Sequence, residues 1–146
     1  MFNFEFSILN SEKTCLTFNE HLLTLLLRMA RFRYDLEERT LAFGKEVITL
    51  LKKEKRTELN GNIRDQLLRS ATSIGANYHE ANGAQSRKDF LHKVSLVRKE
   101  IKETRYWLNL LRVLTAYPRE IEKLLSELDE IERIFGKIHS SLQKRK

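Results

Sequence analysis

Hydrophobic residues recur along most of this chain at the three- and four-residue steps of an amphipathic α-helix. Three long series follow one another, and each would place an apolar stripe along one side of a helix. They are Ile63, Leu67, Ala71, Ile74, Tyr78 and Ala81; Phe90, Val94, Val97, Ile101, Thr104, Leu108 and Leu111; and Ile121, Leu124, Leu128, Ile131, Phe135, Ile138 and Leu142. Because each stripe must meet partner helices, the pattern predicts an antiparallel bundle.

One more helix is predicted from Asp35 into the charged run 52–56. Its apolar faces contain Leu36, Leu41, Phe43, Val47, Ile48, Leu50 and Leu51. Turns are expected at 59–62, at 86–89 and before Pro118, since the residue preceding a proline disfavours the helical conformation. Four helices with short connections predict an all-α protein, an antiparallel up-down-up-down four-helix bundle over residues 33–146. Gly44 and Gly75 inside these helices are expected to mark close helix crossings.

Residues 1–32 show no sustained period and are predicted to be an N-terminal extension, peripheral to the bundle. An alternative is that Met29 is the true start. The longest apolar run, Leu22 to Leu27, contains Thr24 and is too short to span a bilayer, and no secretory signal is recognisable. Cys15 is the single cysteine, which excludes an internal disulfide framework. These features favour a cytoplasmic protein without a membrane partner.

The net charge of +7 is unevenly distributed. Residues 85–119 hold nine basic and three acidic side chains, a surplus of six. Such a surplus suits a polyanion, because neutralised phosphates release counterions, but it is also typical of a solvated helix face. Under the first interpretation, phosphate contacts without base-specific recognition are predicted for Arg87, Lys88, Lys93, Arg98, Lys102, Arg105 and Arg112.

A polar line runs at helical spacing through Ser70, Ser73, Asn77 and Glu80. On the next helix, Glu100, Glu103 and Tyr106 could form hydrogen bonds with this line. We predict a structural polar seam, within the bundle or between protomers, because buried polar groups need partners. A metal site is disfavoured, since di-metal bundles carry Glu-x-x-His on two helices and His79 and His92 do not fit that spacing. No metal and no cofactor are expected.

An enzymatic alternative rests on Arg87 and His92, which fit the Arg-x4-His pattern of HEPN-type ribonucleases. Arg133 and His139 fit the five-spaced variant. Histidine would transfer protons and arginine would stabilise phosphate charge. Two residue types at a loose spacing recur by chance in a basic chain, so a non-enzymatic protein without catalytic residues is favoured.

The aromatic residues Tyr78, Tyr106 and Trp107 allow two interpretations. They could stack on nucleic-acid bases, or they could pack in a core or an interface. Packing is favoured, with Trp107 in a subunit contact, because Trp107 is next to Leu108 of the apolar stripe.

Four segments, in order, resemble a known family: YDLEERTL (34–41), RSATSIGANYHEA (69–81), KDF (88–90) and ETRYWL (103–108). They are similar to the bacterial four-helix-bundle proteins called 23S rRNA intervening-sequence proteins, over roughly residues 33–140. The resemblance implies a homo-oligomer, a pentamer of four-helix bundles. Related accessory proteins of diversity-generating retroelements form basic pentamers that bind nucleic acid and a reverse transcriptase. RNA or DNA is therefore the expected partner, and a protein-interaction scaffold is the alternative.

Overall fold

The computed structural model describes residues 23–24 and 35–144, and the second of these ranges forms four helices. Helix α1 is described over 35–53, and α2 spans Gly61–Asn82, α3 Arg87–Leu114 and α4 Pro118–Lys144. No strand occurs in these two ranges, which confirms the all-α prediction. The predicted extension 1–32 lies outside the described residues except for the helical pair 23–24. Its boundary and the question of Met29 stay predictions.

The helix ends follow local chemistry. At the start of α3, the Ser86 side chain accepts a hydrogen bond from the backbone N–H of Asp89 at 3.1 Å, which satisfies one of the free donors of the first turn. Helix α3 ends two residues before the predicted position because Thr115 is extended, with φ −82° and ψ 147°. Helix α4 begins at Pro118 as predicted. Helix α2 ends at Asn82, three residues earlier than expected. There the N–H of Gly83 donates a hydrogen bond to the carbonyl of Glu80, three residues before it, at 3.1 Å.

Neighbouring helices are antiparallel, because their side-chain contacts pair the beginning of one helix with the end of the next. Each helix has two such neighbours, in the cyclic order α1, α2, α3, α4. The contacts are Glu37–Asn82 and Leu51–Arg64 between α1 and α2, Arg69–Glu103 and Glu80–Lys93 between α2 and α3, Arg87–Leu142 and Arg112–Glu122 between α3 and α4, and Arg39–Glu127 and Lys53–Glu120 between α4 and α1. This is the up-down-up-down arrangement.

The core consists of the predicted stripes. Tyr78 of α2 meets Phe135 of α4 edge to face, with ring centroids 5.1 Å apart, so the diagonal helices touch through the centre. The other fully buried large side chains come from all four helices: Phe43, Val47, Leu67, Ile74, Ile101, Leu108, Leu111, Ile121, Leu128 and Ile131. Burial of one such side chain stabilises a fold by about 1.5–3 kcal/mol. The packing interpretation of Tyr78 is therefore confirmed.

Two residues of the predicted apolar faces of α1 are exposed in the structure. Leu41 and Ile48 are 56% and 40% exposed. A helix in a four-helix bundle buries only the stripe that faces its neighbours, and these two residues lie at its outer edge. Gly44 marks no close crossing among the described residues, since a Cβ there would meet none of their atoms within 4 Å. Gly75 does mark one, because a Cβ there would lie 3.6 Å from the backbone carbonyl of Thr40.

None of the helices in the described part of the chain combines the length and the apolar character that crossing a bilayer requires.

Candidate functional site

The positive charge of the bundle belongs to one helix. Helix α3 has eight basic and three acidic residues, a surplus of five. Helix α2 has two of each, the described part of α1 has four of each, and α4 has five basic against six acidic residues. A ligand attracted by the field of this fold would therefore be drawn to α3.

Four of the seven predicted phosphate-binding residues are engaged by groups within the chain. Arg105 pairs with Asp129 and with Glu132 of α4, and Arg112 with Glu122 at 2.9 Å. Lys93 pairs with Glu80 at 2.5 Å, and Arg87 donates to the backbone carbonyl of Leu142. These contacts tie α3 to its two neighbours.

The double pair at Arg105 is the most enclosed of these contacts. Partial burial alone would lower the pKa of Arg105, but the hydrogen bonds that its guanidinium donates to Asp129 and Glu132 outweigh burial and raise that pKa above its ordinary value. Its guanidinium stays charged and is already satisfied by two carboxylates. Arg105 is therefore less available to bind an external phosphate than an unpaired cation would be.

The outward side of α3 is different. Its positions follow alternating steps of four and three, and all of them are exposed: Lys88, His92, Ser95, Lys99, Lys102, Tyr106, Asn109 and Val113. We call these eight residues the α3 stripe. It contains no carboxylate, and its lysines form no ion pair with any described residue. At about 1.5 Å per residue, the stripe runs for roughly 35 Å along the helix.

Two of the predicted phosphate-binding residues, Lys88 and Lys102, belong to the α3 stripe. Lys99 belongs to it as well and was missing from the predicted set, although its helical spacing from Lys88 and Lys102 could have revealed it. Arg98 lies beside the stripe and is half-buried, and its Nε has no hydrogen-bond partner among the described residues.

The predicted polar seam does not form as one line within the protomer. Ser70 is fully buried and accepts a hydrogen bond from Thr104 at 3.0 Å, so its partner comes from the predicted apolar stripe of α3. Asn77 turns back to the carbonyl of Ser73 at 2.9 Å. Glu80 is exposed and pairs with Lys93.

On α3, the three expected members of the seam have three different environments. Glu100 is 9% exposed, and its buried Oε2 has no partner in the described part of the chain. Glu103 accepts from Arg69 and from Nε1 of Trp107. Tyr106 is 57% exposed and forms no hydrogen bond with the described residues. A seam between protomers stays a prediction for these groups.

The described residues of one protomer form no assembled site for either alternative chemistry. Among the described residues, no group of three or more histidine, cysteine or carboxylate side chains could hold a metal. Arg87 and His92 are five positions apart on one helix, so they leave it in directions about 140° apart. Arg133 is paired with Glu130, its neighbour on α4. Arg133 and His139 are six positions apart, about 120° around α4, so neither arginine–histidine pair lies on one face of its helix.

An antiparallel four-helix bundle with one cationic helix is the class of protein that fold and charge define here. The chain belongs to the family of the 23S rRNA-intervening sequence protein, whose model matches residues 34–137. A similar solved structure is the crystal structure of a protein of unknown function from the S23 ribosomal protein family of Bacteroides thetaiotaomicron. It is 33% identical, with a TM-score of 0.62 over 71% of this chain and 97% of that one. No curated protein matches the sequence.

Proposed function

We propose that this protein is a non-enzymatic homo-oligomer that binds RNA or DNA through the α3 stripe. The observation that carries the proposal is the concentration of charge. Helix α3 holds the whole positive surplus of the four described helices, and the stripe on its outward side has no carboxylate. Binding would be driven by release of the counterions condensed on the phosphates.

The residues assigned to phosphate contact are Lys88, Lys99 and Lys102, with Arg98 at the edge. Lysine ammonium groups on flexible stems attract phosphates without reading base edges, so the contacts position the nucleic acid and do not select its sequence. Lys93, Arg105 and Arg112 add to the field, but each would have to give up an internal carboxylate before contacting a phosphate directly.

Self-association is assigned to the outer face of α1 and α2. Leu41, Ile48 and Leu68 are exposed there by 40% or more. Gly44 lies between the first two, and in a helix interior it costs about 1 kcal/mol relative to alanine although no described residue of the protomer approaches it. A second protomer packing on this apolar α1–α2 face would explain both the exposed apolar side chains and the glycine. A ring of five, as the resemblance implies, would repeat the α3 stripe and bind by avidity.

The charge assignment is tested with two matched double variants. Lys99→Glu with Lys102→Glu reverses two charges of the α3 stripe, and Lys123→Glu with Lys137→Glu makes the same change on exposed positions of α4. Binding of labelled RNA and DNA is measured by gel shift over a salt series. We expect the α3 variant to bind more than about tenfold more weakly with a shallower salt slope, and the α4 variant to lose much less. Binding that does not change with salt would contradict the proposal.

The second candidate function is a protein-interaction scaffold, favoured by the same exposed apolar face of α1 and α2. In that case substitutions in the apolar face would abolish the activity while the α3 charge reversals would leave it intact. The ribonuclease alternative predicts RNA cleavage that His92→Ala abolishes without weakening the gel shift.

A further inference from the structure

We propose that the α3 stripe takes single-stranded nucleic acid in preference to a duplex, with the ring of Tyr106 as the platform on which one unpaired base stacks. This inference rests on the proposed function and specifies its ligand. It follows from the exposure of Tyr106, from the side chains that hold its ring, and from its position relative to the lysines.

The ring of Tyr106 is turned toward solvent. It is 57% exposed on a chain whose other described tyrosines are buried or half-buried. Its hydroxyl forms no hydrogen bond with any described residue. An aromatic ring normally hides its faces in a core or an interface, so an open ring one helical turn from the last lysine of the stripe is available for stacking.

Neighbouring side chains hold this ring in place. Trp107 meets Tyr106 edge to face, with centroids 4.9 Å apart and planes at 75°. The Trp107 Nε1 donates to Glu103 at 3.4 Å, and Glu103 is in turn paired with Arg69 of α2. The platform is thereby braced against a second helix, and a ligand that stacks on it loses little side-chain entropy from the protein.

Two lysines of the α3 stripe lie close enough to the Tyr106 ring for one nucleic-acid strand to contact all three residues. Lys102 is one helical turn before Tyr106, about 6 Å along the axis, and Lys99 is roughly 10 Å away. All three side chains are exposed on the same side of α3. A strand whose phosphates contact the two lysines could therefore place a neighbouring base over the ring.

A duplex cannot use this platform. Its bases are paired and stacked, and their faces are covered by the adjacent bases, so a ring on a convex helix meets only the backbone. In a single strand the bases can be splayed out onto an aromatic side chain, and stacking tolerates every base. The lysines would attract both forms, and Tyr106 would favour the single strand.

The test compares Tyr106→Leu, which removes the ring, with Tyr106→Phe, which keeps it. Leu59→Ala is the control, since Leu59 is 72% exposed in the connection between α1 and α2, outside the α3 stripe. The probes are a labelled single-stranded RNA of about 12 nucleotides, the DNA of the same sequence, and the corresponding RNA duplex. Anisotropy gives the affinities, and light scattering and circular dichroism verify assembly and fold.

We expect Tyr106→Leu to bind both single strands about 5- to 100-fold more weakly and the duplex within about twofold of wild type. Tyr106→Phe and Leu59→Ala should bind like wild type. Trp107 is the single tryptophan of the chain, so its emission should change on addition of single strands and not of the duplex.

Equal affinity of Tyr106→Leu and wild type for single strands would overturn the inference. So would equal losses for both forms, or a change of oligomeric state in Tyr106→Leu, which would make Tyr106 a protein contact. These results differ from failure of the proposed function, in which wild-type protein binds neither form in a salt-dependent way.

Discussion

Glu80 of α2 accepts a hydrogen bond from the Nζ of Lys93 of α3 at 2.5 Å. This hydrogen bond, supported by the charge of Lys93, lowers the pKa of Glu80 below its ordinary value of 4.5. The same bond raises the pKa of Lys93 above 10.5. Lys93, which the charge pattern assigned to phosphate binding, therefore forms an interhelical ion pair. Its partner, Glu80, is a residue that the sequence assigned to the polar seam.

The pair makes a pH-dependent contribution that can be measured. Because the pKa of Glu80 is lower in the folded chain than in the unfolded one, the pair stabilises the fold above about pH 4.5, and this stabilisation is lost as the pH falls through the lowered value. Lys93→Met should return the pKa of Glu80 toward 4.5 in an NMR carboxyl titration. Lys88→Met is the control, and identical Glu80 titrations in all three proteins would contradict the assignment.

Ser70 shows what a single position can and cannot predict. Its spacing correctly indicated a polar residue on the buried side of α2. Its partner could not be inferred, because Thr104 has both a hydroxyl and a β-branched apolar body and fits an apolar stripe equally well. Only the register of α2 against α3 brings the two oxygens to 3.0 Å.

Among the elements, α3 is specified most completely by local chemistry. Ser86 provides its N-terminal cap, Asp89 places a negative charge in its first turn, and Thr115 ends it before Pro118. The acid in the first turn complements the positive end of the helix dipole. Such an element can be predicted from the sequence because each of its ends depends on neighbours within a few residues.

Removal of the cap should destabilise the bundle. Ser86→Ala leaves the N–H of Asp89 without its side-chain acceptor, so we expect a loss of about 1 kcal/mol in the free energy of unfolding, measured by urea denaturation. Ser86→Asp, which restores an acceptor, should recover most of this loss. Ser95→Ala changes the same residue type at an exposed interior position of α3 and should not destabilise. A stability of Ser86→Ala equal to wild type would show that the cap contributes nothing.

The described part of the bundle exposes a cationic surface and an apolar surface. One is the cationic α3 stripe, and the other is the apolar face of Leu41, Ile48 and Leu68 on α1 and α2. The proposed assembly uses the second to present copies of the first. This separation of roles makes each surface testable without the other.

The proposed assembly predicts a defined mass. Light scattering of the wild-type chain should give several times 17.3 kDa, and five times that mass for the ring. Ile48→Glu with Leu68→Glu should yield monomers that keep their helical circular dichroism, because both residues are already 40% exposed and a charge there disturbs no core.

Leu59→Glu is the control for this experiment, since Leu59 is 72% exposed in the connection between α1 and α2. It should leave the mass unchanged. A wild-type protein that is monomeric at every concentration, or a double variant that assembles like wild type, would refute the assignment of the α1–α2 face.

The four helices, their antiparallel order and most of the core could be predicted from the amino-acid sequence alone. These depend on periodicity, caps and short connections, which are local properties of the chain. The sequence also predicts the positive surplus on α3, because the net charge of a helix is the sum of the charges of its side chains.

Which of those charges are available to a ligand depends on how the helices pack against one another. Arg105 and Arg112 look like Lys99 and Lys102 in sequence, yet the first two face the carboxylates of α4 and the other two face solvent. The same packing left Leu41 and Ile48 outside the core and the ring of Tyr106 open. Helix rotation and register, which bring together residues distant in sequence, separate a structural ion pair from a free cation.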